Sequence, residues 1–307
     1  VGLYIPGGTA PLFSSVLMLG VPAKIAGCKE VVLCTPPQSD GSINPAILFT
    51  ANLVGVTKIF KVGGAQAVAA MAYGTASIPK VDKIFGPGNQ YVTAAKQMVS
   101  LQGTAIDMPA GPSEVMVLAD KSSNVDFIAS DLLSQAEHGK DSQVVLISTD
   151  EGILDEVNKA LQTQLERLPR KELATEALTK SLGILVKDDI EMMKISNYYA
   201  PEHLIIATAN ADDLAAQVTN AGSVFIGDYT PESAGDYASG TNHTLPTNGA
   251  ARAYSGVSLD SFMKQVTFQK ITEAGLKELG PTIEIMAEAE QLEAHKNAVS
   301  LRLKSIK

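Results

Sequence analysis

The stretch KIFKVGGAQAVAAMAY, Lys58–Tyr73, decides the fold class. Its first part, Lys58–Val62, is a short run with Ile, Phe and Val, which favours a β-strand. Gly63 and Gly64 follow, and then an alanine-rich stretch, Ala65–Tyr73, that favours a helix. A strand that turns through glycine into a helix is the repeating unit of a parallel α/β sheet. The glycine turn also permits close approach of the backbone to a ligand.

The same unit recurs along the chain in two series. The first series predicts strands at Gly2–Ile5, Glu30–Cys34, Lys58–Val62 and Lys83–Phe85. The second begins near Glu114 and predicts strands at Val115–Leu118, Gln143–Ser148, Gly183–Val186, Leu204–Ala207 and Ser223–Ile226. Helical patterns fill the gaps, so we expect an α/β protein with mainly parallel sheets.

The division into domains follows from these two series. We predict a first lobe over 1–113, a second lobe over 114–255 and a helical tail over 256–307. Within the second lobe, Gly227–Gly256 is rich in Gly, Ser, Thr and Asn without clear periodicity, which predicts a long loop. Loops of that length are uncommon unless they are functional.

Composition excludes several classes of protein. The 307 residues are 45% hydrophobic and 19% charged, which is enough apolar material for a core in each of two domains. A net charge of −9, few aromatic residues and no Trp argue against binding nucleic acid. The longest apolar stretch, Pro11–Ala23, is shorter than the roughly 20 residues of a bilayer span. The two cysteines, Cys28 and Cys34, are too few for a disulfide framework, and the apolar run around Cys34 predicts a buried thiol. We therefore expect a reduced, cytoplasmic protein.

Two short motifs contain the chemistry that spacing alone suggests. Gln135 and His138 are three apart on a predicted helix and share a face, which suits two ligands of one metal. The alternative is that His138, before Gly139, only caps the helix. Glu202 and His203 follow a proline and could form a general acid–base pair, or be a solvated loop pair.

The remaining candidates are less specific. Asp236, after a glycine, is either a carboxylate ligand or a turn former, and His295 on the tail resembles a surface histidine. For His243 we expect a structural hydrogen bond. None of the glycine turns has the GxGxxG fingerprint of dinucleotide-binding folds.

Taken together, the longer motifs resemble the histidinol dehydrogenase family from one end of the chain to the other. The matching strings are VGLYIPGG at Val1–Gly8, KVGGAQA at Lys61–Ala67, KIFGPGN at Lys83–Asn89, DMPAGPSE at Asp107–Glu114, DLLSQAEHG at Asp131–Gly139, YAPEHL at Tyr199–Leu204, PESAGDYASGTNH at Pro231–His243 and AHKNAV at Ala294–Val299. The resemblance implies two incomplete Rossmann-like lobes, a C-terminal arm and a homodimer. It also implies zinc-dependent oxidation of L-histidinol to L-histidine with two NAD⁺, the last steps of histidine biosynthesis.

The resemblance further implies a role for individual residues. The zinc ligands would be Gln135, His138, Asp236 and His295, with His295 donated by the neighbouring subunit, and Glu202 and His203 would be the acid–base pair. Tyr4, Gln66 and Asn89 match NAD-contacting positions. Substrate contacts would come from the zinc ligands, His203, Ser113 and Glu290.

The start of the chain and two competing functions also bear on this interpretation. Family members carry a segment before the position of Val1, so we expect a chain that lacks it to expose apolar surface and to dimerise weakly. The competing functions are a zinc hydrolase that uses Glu202 to activate water, and a non-catalytic fragment.

Overall fold

The computed structural model describes residues 1–7 and 11–306, so Gly8 of the first motif lies outside the described residues. Two compact units divide the chain, Val1–Met263 and Lys264–Lys307. No helix among the described residues is both long and apolar enough to cross a bilayer.

The first unit contains two five-stranded sheets in which every strand pair is parallel. The strands of the first sheet are β1 (Gly2–Tyr4), β2 (Val32–Thr35), β3 (Lys58–Lys61), β4 (Lys83–Phe85) and β5 (Ala105–Ile106). Those of the second are β6 (Glu114–Ala119), β7 (Gln143–Ser148), β8 (Leu182–Leu185), β9 (His203–Ala207) and β10 (Ser223–Ile226). The predicted α/β class with mainly parallel sheets is thus confirmed.

Nine of the described helices lie between successive strands of a sheet, and a tenth follows β10. They are α1 (Phe13–Ile25), α2 (Pro45–Val54), α3 (Gly64–Tyr73), α4 (Gln90–Ser100), α5 (Val125–Ala136), α6 (Glu151–Leu165), α7 (Lys171–Leu178), α8 (Asp189–Tyr199), α9 (Ala211–Ala215) and α10 (Glu232–Tyr237). Two short 3₁₀ helices follow at Ala250–Arg252 and Leu259–Phe262.

The two sheets have the same strand order, although no internal repeat is visible in the sequence. The first is ordered β3-β2-β1-β4-β5, and the second, read from its other edge, β8-β7-β6-β9-β10. In each, the first strand lies in the centre, the next two extend to one side and the last two to the other. This order is that of a Rossmann-like half with its switch point beside the central strand.

Alternating side chains of the strands build a core on both faces of each sheet. In the first sheet Leu3, Leu33 and Phe85 pack on one face, while Cys34 and Ile84 pack on the other. Cys34 is fully buried, as predicted, and burial raises its pKa to about 12.

The second unit is a pair of helices, α11 (Glu273–Ala289) and α12 (Glu293–Ser305). They approach closely at Gly280, where an added β-carbon would lie 2.7 Å from the side chain of Leu303. A Lys296–Glu288 ion pair of 2.9 Å also joins them. The two helices thus form a helical hairpin within the predicted tail.

Candidate functional site

The amino-terminal edge of the second sheet carries the predicted acid–base pair. Strands β6 and β9 are neighbours, and Val115 is the register partner of His203. Consequently Glu114, at the start of β6, lies beside Glu202 and His203, at the start of β9. All three side chains are more than 90% buried, which excludes the solvated-loop alternative for Glu202 and His203.

The ring of His203 is held in one tautomer. Its Nδ1 lies 3.0 Å from the backbone oxygen of Glu114, which can only accept, so Nδ1 donates. The lone pair is therefore on Nε2, which is buried, has no hydrogen-bond partner and lies 3.9 Å from Oδ1 of Asp236. Burial lowers the pKa of His203, so the ring is neutral at pH 7 and can accept a proton through Nε2.

The backbone of Glu114 also holds the carboxyl group of Glu202 in place. Its Oε2 accepts a hydrogen bond of 2.8 Å from the N–H of Glu114 and lies 3.6 Å from Nδ1 of His203. Burial raises the pKa of Glu202 well above its ordinary value, with smaller contributions from the charges of Glu114 and Asp236. A carboxyl group tuned upward in this way is suited to exchanging protons near neutrality.

The end of α5 supplies the two predicted metal ligands. Gln135 is fully buried, and neither its amide oxygen nor its amide nitrogen has a hydrogen-bond partner among the described residues. Orphaned buried amide atoms cost about 1–3 kcal/mol, so the arrangement fits a group that binds there. His138, beyond the helix end, keeps exposed surface, yet desolvation by nearby protein lowers its pKa. It is therefore neutral and able to ligate.

Helix α10 packs on α5 and brings in two further carboxylates. Glu232 and Asp236 are one helical turn apart, at 1% and 9% exposure. With His203 they form a cluster whose ligand atoms all lie within 4.8 Å of one another. The prediction of an unstructured Gly227–Gly256 segment is wrong over this short helix. Gly235 allows it, because a β-carbon there would lie 2.6 Å from the ring of Phe225.

The site concentrates carboxyl groups whose pKa values burial displaces upward. That of Glu232 is well above its ordinary range, that of Glu114 is about 6, and that of Asp131, on α5, is about 7. Asp236 lies beside them. Its charge adds to the raised pKa values of Glu202 and Glu232 and opposes the lowering of the His203 pKa. Such a set of oxygen and imidazole donors suits a divalent cation.

His243 connects the site to the first lobe. Its Nδ1 donates to the backbone oxygen of Asp236 at 3.1 Å, which leaves Nε2 to accept from the hydroxyl of Ser15 at 3.1 Å. These are the structural hydrogen bonds predicted for it. They hold α10 against α1.

The predicted NAD-contacting residues lie at the first sheet, near the carboxyl ends of its strands. Tyr4 ends β1, and its hydroxyl accepts a 3.1 Å hydrogen bond from the N–H of Gly64 at the start of α3. Gln66 is exposed on the first turn of α3. Asn89 caps α4, where its Oδ1 accepts from two backbone N–H groups. These positions surround the switch point between β1 and β4, where open α/β sheets bind ligands.

The other predicted residues are placed as follows. Ser113 is half-buried directly before β6, next to Glu114. Glu290 and His295 are exposed residues of the second unit, at the end of α11 and in the first turn of α12.

Two residues of the site were missed by sequence reasoning. Glu232 lies four residues before Asp236, and helical spacing within Pro231–His243 would have indicated it. Glu114 contributes through its backbone N–H and C=O, for which the sequence holds no signal.

Comparisons with known proteins agree with the motifs. The family model of histidinol dehydrogenase matches residues 1–303. The histidinol dehydrogenase of Bacteroides thetaiotaomicron is 67% identical over 307 residues, which are all of this chain and 72% of that protein. That of Xanthomonas euvesicatoria is 59% identical over 304 residues, covering 99% of this chain and 70% of the relative.

Solved structures give the same result. The crystal structure of histidinol dehydrogenase from Elizabethkingia anophelis superposes with a TM-score of 0.97 at 62% identity, covering 99% of this chain and 70% of that one. An acetylating aldehyde dehydrogenase from Geobacillus thermoglucosidasius, at 14% identity and a TM-score of 0.57, shares the fold alone. That match covers 88% of this chain and 75% of the aldehyde dehydrogenase chain. The predicted resemblance is thus confirmed, and the chain belongs to the histidinol dehydrogenase family.

Proposed function

We propose that the protein oxidises L-histidinol to L-histidine by way of the aldehyde, with zinc and two NAD⁺, in the last steps of histidine biosynthesis. The observation that carries the proposal is the buried Glu202–His203 pair, in which the free Nε2 of His203 lies 3.9 Å from Oδ1 of Asp236. The names of the relatives supply the substrate class. The geometry supports His203 as a base, Glu202 as a second acid–base group, and a set of metal ligands nearby.

Gln135, His138 and Asp236, with His295 of a neighbouring subunit, would hold the zinc. Bound zinc supplies a Lewis-acidic anchor for the imidazole and amine of the substrate and takes no electrons itself. The orphaned amide of Gln135 supports this set. The alternative cluster of His203, Glu232 and Asp236 would occupy the lone pair of Nε2 and leave His203 unable to act as a base.

His203 would act as the base in both oxidations. Its Nε2 takes the proton of the substrate hydroxyl, while Nδ1 keeps its hydrogen bond to the Glu114 carbonyl. The resulting imidazolium is buried among carboxyl groups, since Oε1 of Glu232 lies 4.0 Å from Nδ1 and Asp236 lies on the Nε2 side. The charge of Asp236 offsets part of the cost of burying the cation.

Glu202 would act between the two oxidations. The aldehyde must add water before a second hydride can leave, and Glu202 takes one proton of that water as its oxygen bonds to the carbonyl carbon. As the water adds, the protonated His203 returns its proton to the carbonyl oxygen. It then takes a hydroxyl proton of the hydrate while the second hydride leaves for NAD⁺, and loss of one further proton gives the carboxylate product. Each histidinol consumes one water and gives up four electrons.

Tyr4, Gln66 and Asn89 would hold NAD⁺, which would supply the hydride acceptor for both oxidations. The exposed amides of Gln66 and Asn89 and the start of two helices offer donors to a dinucleotide. Ser113 and Glu290 would contact the substrate. The protein would work as a cytoplasmic homodimer with shared active sites.

The direct test is formation of NADH from L-histidinol. The protein with zinc should give two NADH per histidinol consumed, measured by absorbance together with the histidine formed. Hydrolysis of a substrate without NADH would favour a zinc hydrolase instead. Absence of both reactions in zinc-loaded, folded protein would favour a non-catalytic role.

A further inference from the structure

Lys96 of α4 and Asp107, directly after β5, form a buried ion pair below the turn that joins β4 to α4. The two side chains are 5% and 1% exposed, and Nζ of Lys96 contacts Oδ1 of Asp107. Neither residue belongs to the predicted site. A pair of charges is costly to desolvate, and apolar residues in its place often give equal or greater stability. Its presence therefore needs an explanation other than stability.

Both polar backbone groups of Gly86 are bound by this pair. The N–H of Gly86 donates to Oδ2 of Asp107 at 2.7 Å, and its carbonyl accepts from Nζ of Lys96 at 2.8 Å. Gly86 has a φ of +123°, and an added β-carbon would lie 2.0 Å from the backbone oxygen of Tyr4. The pair thus fixes one glycine in a conformation that keeps the turn tight against the end of β1.

Gly86 begins the turn Gly86-Pro87-Gly88-Asn89, which ends at the cap of α4. The turn follows β4 at the switch point, next to Tyr4 at the end of β1. Lys96 is on the helix that Asn89 caps, so the ion pair fixes the turn at its first residue and through the helix that follows it.

The pair also reaches toward the second lobe. Oδ1 of Asp107 accepts a 2.7 Å hydrogen bond from the N–H of Met108, and the hydroxyl of Thr93, one turn before Lys96, donates to the carbonyl of Ala110. Met108 and Ala110 belong to the linker that ends at Glu114, whose backbone holds Glu202 and His203. The ion pair and the helix that carries Lys96 therefore contact both the turn and the start of the linker.

We propose that Lys96 and Asp107 are positioning residues that pre-organise the Gly86–Asn89 turn for the dinucleotide. This inference rests on the proposed function. An ordered turn binds without first having to populate the competent conformation. If loss of the pair left that conformation populated a tenth of the time, the apparent dissociation constant for the dinucleotide would rise about tenfold.

The test compares two variants with a matched control in the zinc-loaded protein. Lys96→Met with Asp107→Asn removes both charges together, so that no unpaired charge stays buried. Asp107→Asn alone is the second variant. The control is Lys58→Met, which removes a lysine from an ion pair with Glu30 in the same lobe, where both side chains are about half exposed. Binding of NADH by fluorescence titration and steady-state kinetics are measured where circular dichroism matches the wild type.

We expect the KM for NAD⁺ and the dissociation constant for NADH to rise about tenfold in the double variant. The kcat at saturating NAD⁺, the KM for histidinol and the zinc content should stay within about twofold of the wild type, and the control should change nothing. A merely structural pair would reduce the folded fraction without changing the KM for NAD⁺.

Two results would overturn the positioning role. One is unchanged NADH affinity in either folded variant. The other is loss of the wild-type circular dichroism in both variants at every temperature, which would make the pair a general requirement for folding. Failure of the proposed function is distinguishable, because the wild-type protein itself would then fail to bind NADH.

Discussion

Replacing Glu202 by Gln separates its proposed chemistry from its role in the structure. Gln has the same shape and keeps an oxygen that can accept the 2.8 Å hydrogen bond from the N–H of Glu114. It cannot take a proton from water. We therefore expect Glu202→Gln to fold and to bind zinc as the wild type does, and to be defective in the reaction.

Glu202→Gln should lower the reaction rate without lowering the stability of the fold. Gln leaves no backbone group unpaired, so the free energy of unfolding should not fall, whereas Glu202→Ala orphans the buried N–H of Glu114 at a cost of about 1–3 kcal/mol. Positioned acid–base groups contribute about 10²–10⁴-fold to a rate. At 1.36 kcal/mol per tenfold, that corresponds to about 3–5 kcal/mol of activation free energy for the step that Glu202 serves.

The assay measures the two oxidations separately, starting from histidinol and from the preformed aldehyde. If Glu202 activates water, Glu202→Gln should slow NADH formation from the aldehyde by about 10²–10⁴-fold and slow the first oxidation much less. Zinc content, measured by elemental analysis, is the control. Equal slowing of both steps would refute the assignment to hydration, and loss of zinc would place Glu202 in the ligand set.

Three further predictions concern neighbouring groups. Burial raises the pKa of Glu114 from 4.5 to about 6, so the folded chain holds this proton more tightly than the unfolded chain. In metal-free protein, the free energy of unfolding relative to that of Glu114→Gln should therefore fall by about 2 kcal/mol as the pH rises from 4.5 through 6. Urea unfolding measures this difference, and a difference that stays constant across that pH window would contradict the prediction. Gln135→Leu should weaken zinc binding by at least about 100-fold, since even outer partners of metal ligands contribute about 10–100-fold, without destabilising the zinc-free fold; titration with a chelator decides. Inactive Asp236→Ala and His295→Ala chains, mixed after dissociation, should recover about a quarter of the wild-type activity if sites are shared between subunits, and no recovery would place each site within one chain.

The sequence predicted the sheets well because their signals are local. Short runs rich in Val, Ile and Leu indicate the strands, and Lys83–Phe85, Gln143–Ser148 and Ser223–Ile226 match the predicted bounds. The strand Ala105–Ile106 was not predicted, since two residues are too few to show a period. It forms because it pairs with β4.

The site could be predicted only in part, for a different physical reason. Glu202 and His203 are adjacent in sequence, so any structure would keep them together. Glu232 joins them only because six residues fold into α10, which includes a glycine and lies against Phe225. Tertiary contacts decide such a short helix, and local propensity does not indicate it.

The connection between the lobes explains why two sheets of equal strand order have their candidate sites at opposite edges. In the first sheet, Tyr4 and Gly86 lie at the carboxyl ends of β1 and β4, where the switch-point rule expects a ligand. In the second, Glu114 and His203 lie at the amino ends of the equivalent strands, β6 and β9. Only residues 107–113 separate the end of β5 from the start of β6, and seven residues span at most about 25 Å. A short linker from the carboxyl edge of one sheet must enter the amino edge of the next, so those two edges lie close together. A dinucleotide at the first edge could then reach a substrate beside His203 at the second, which a site at the carboxyl edge of the second sheet would not permit.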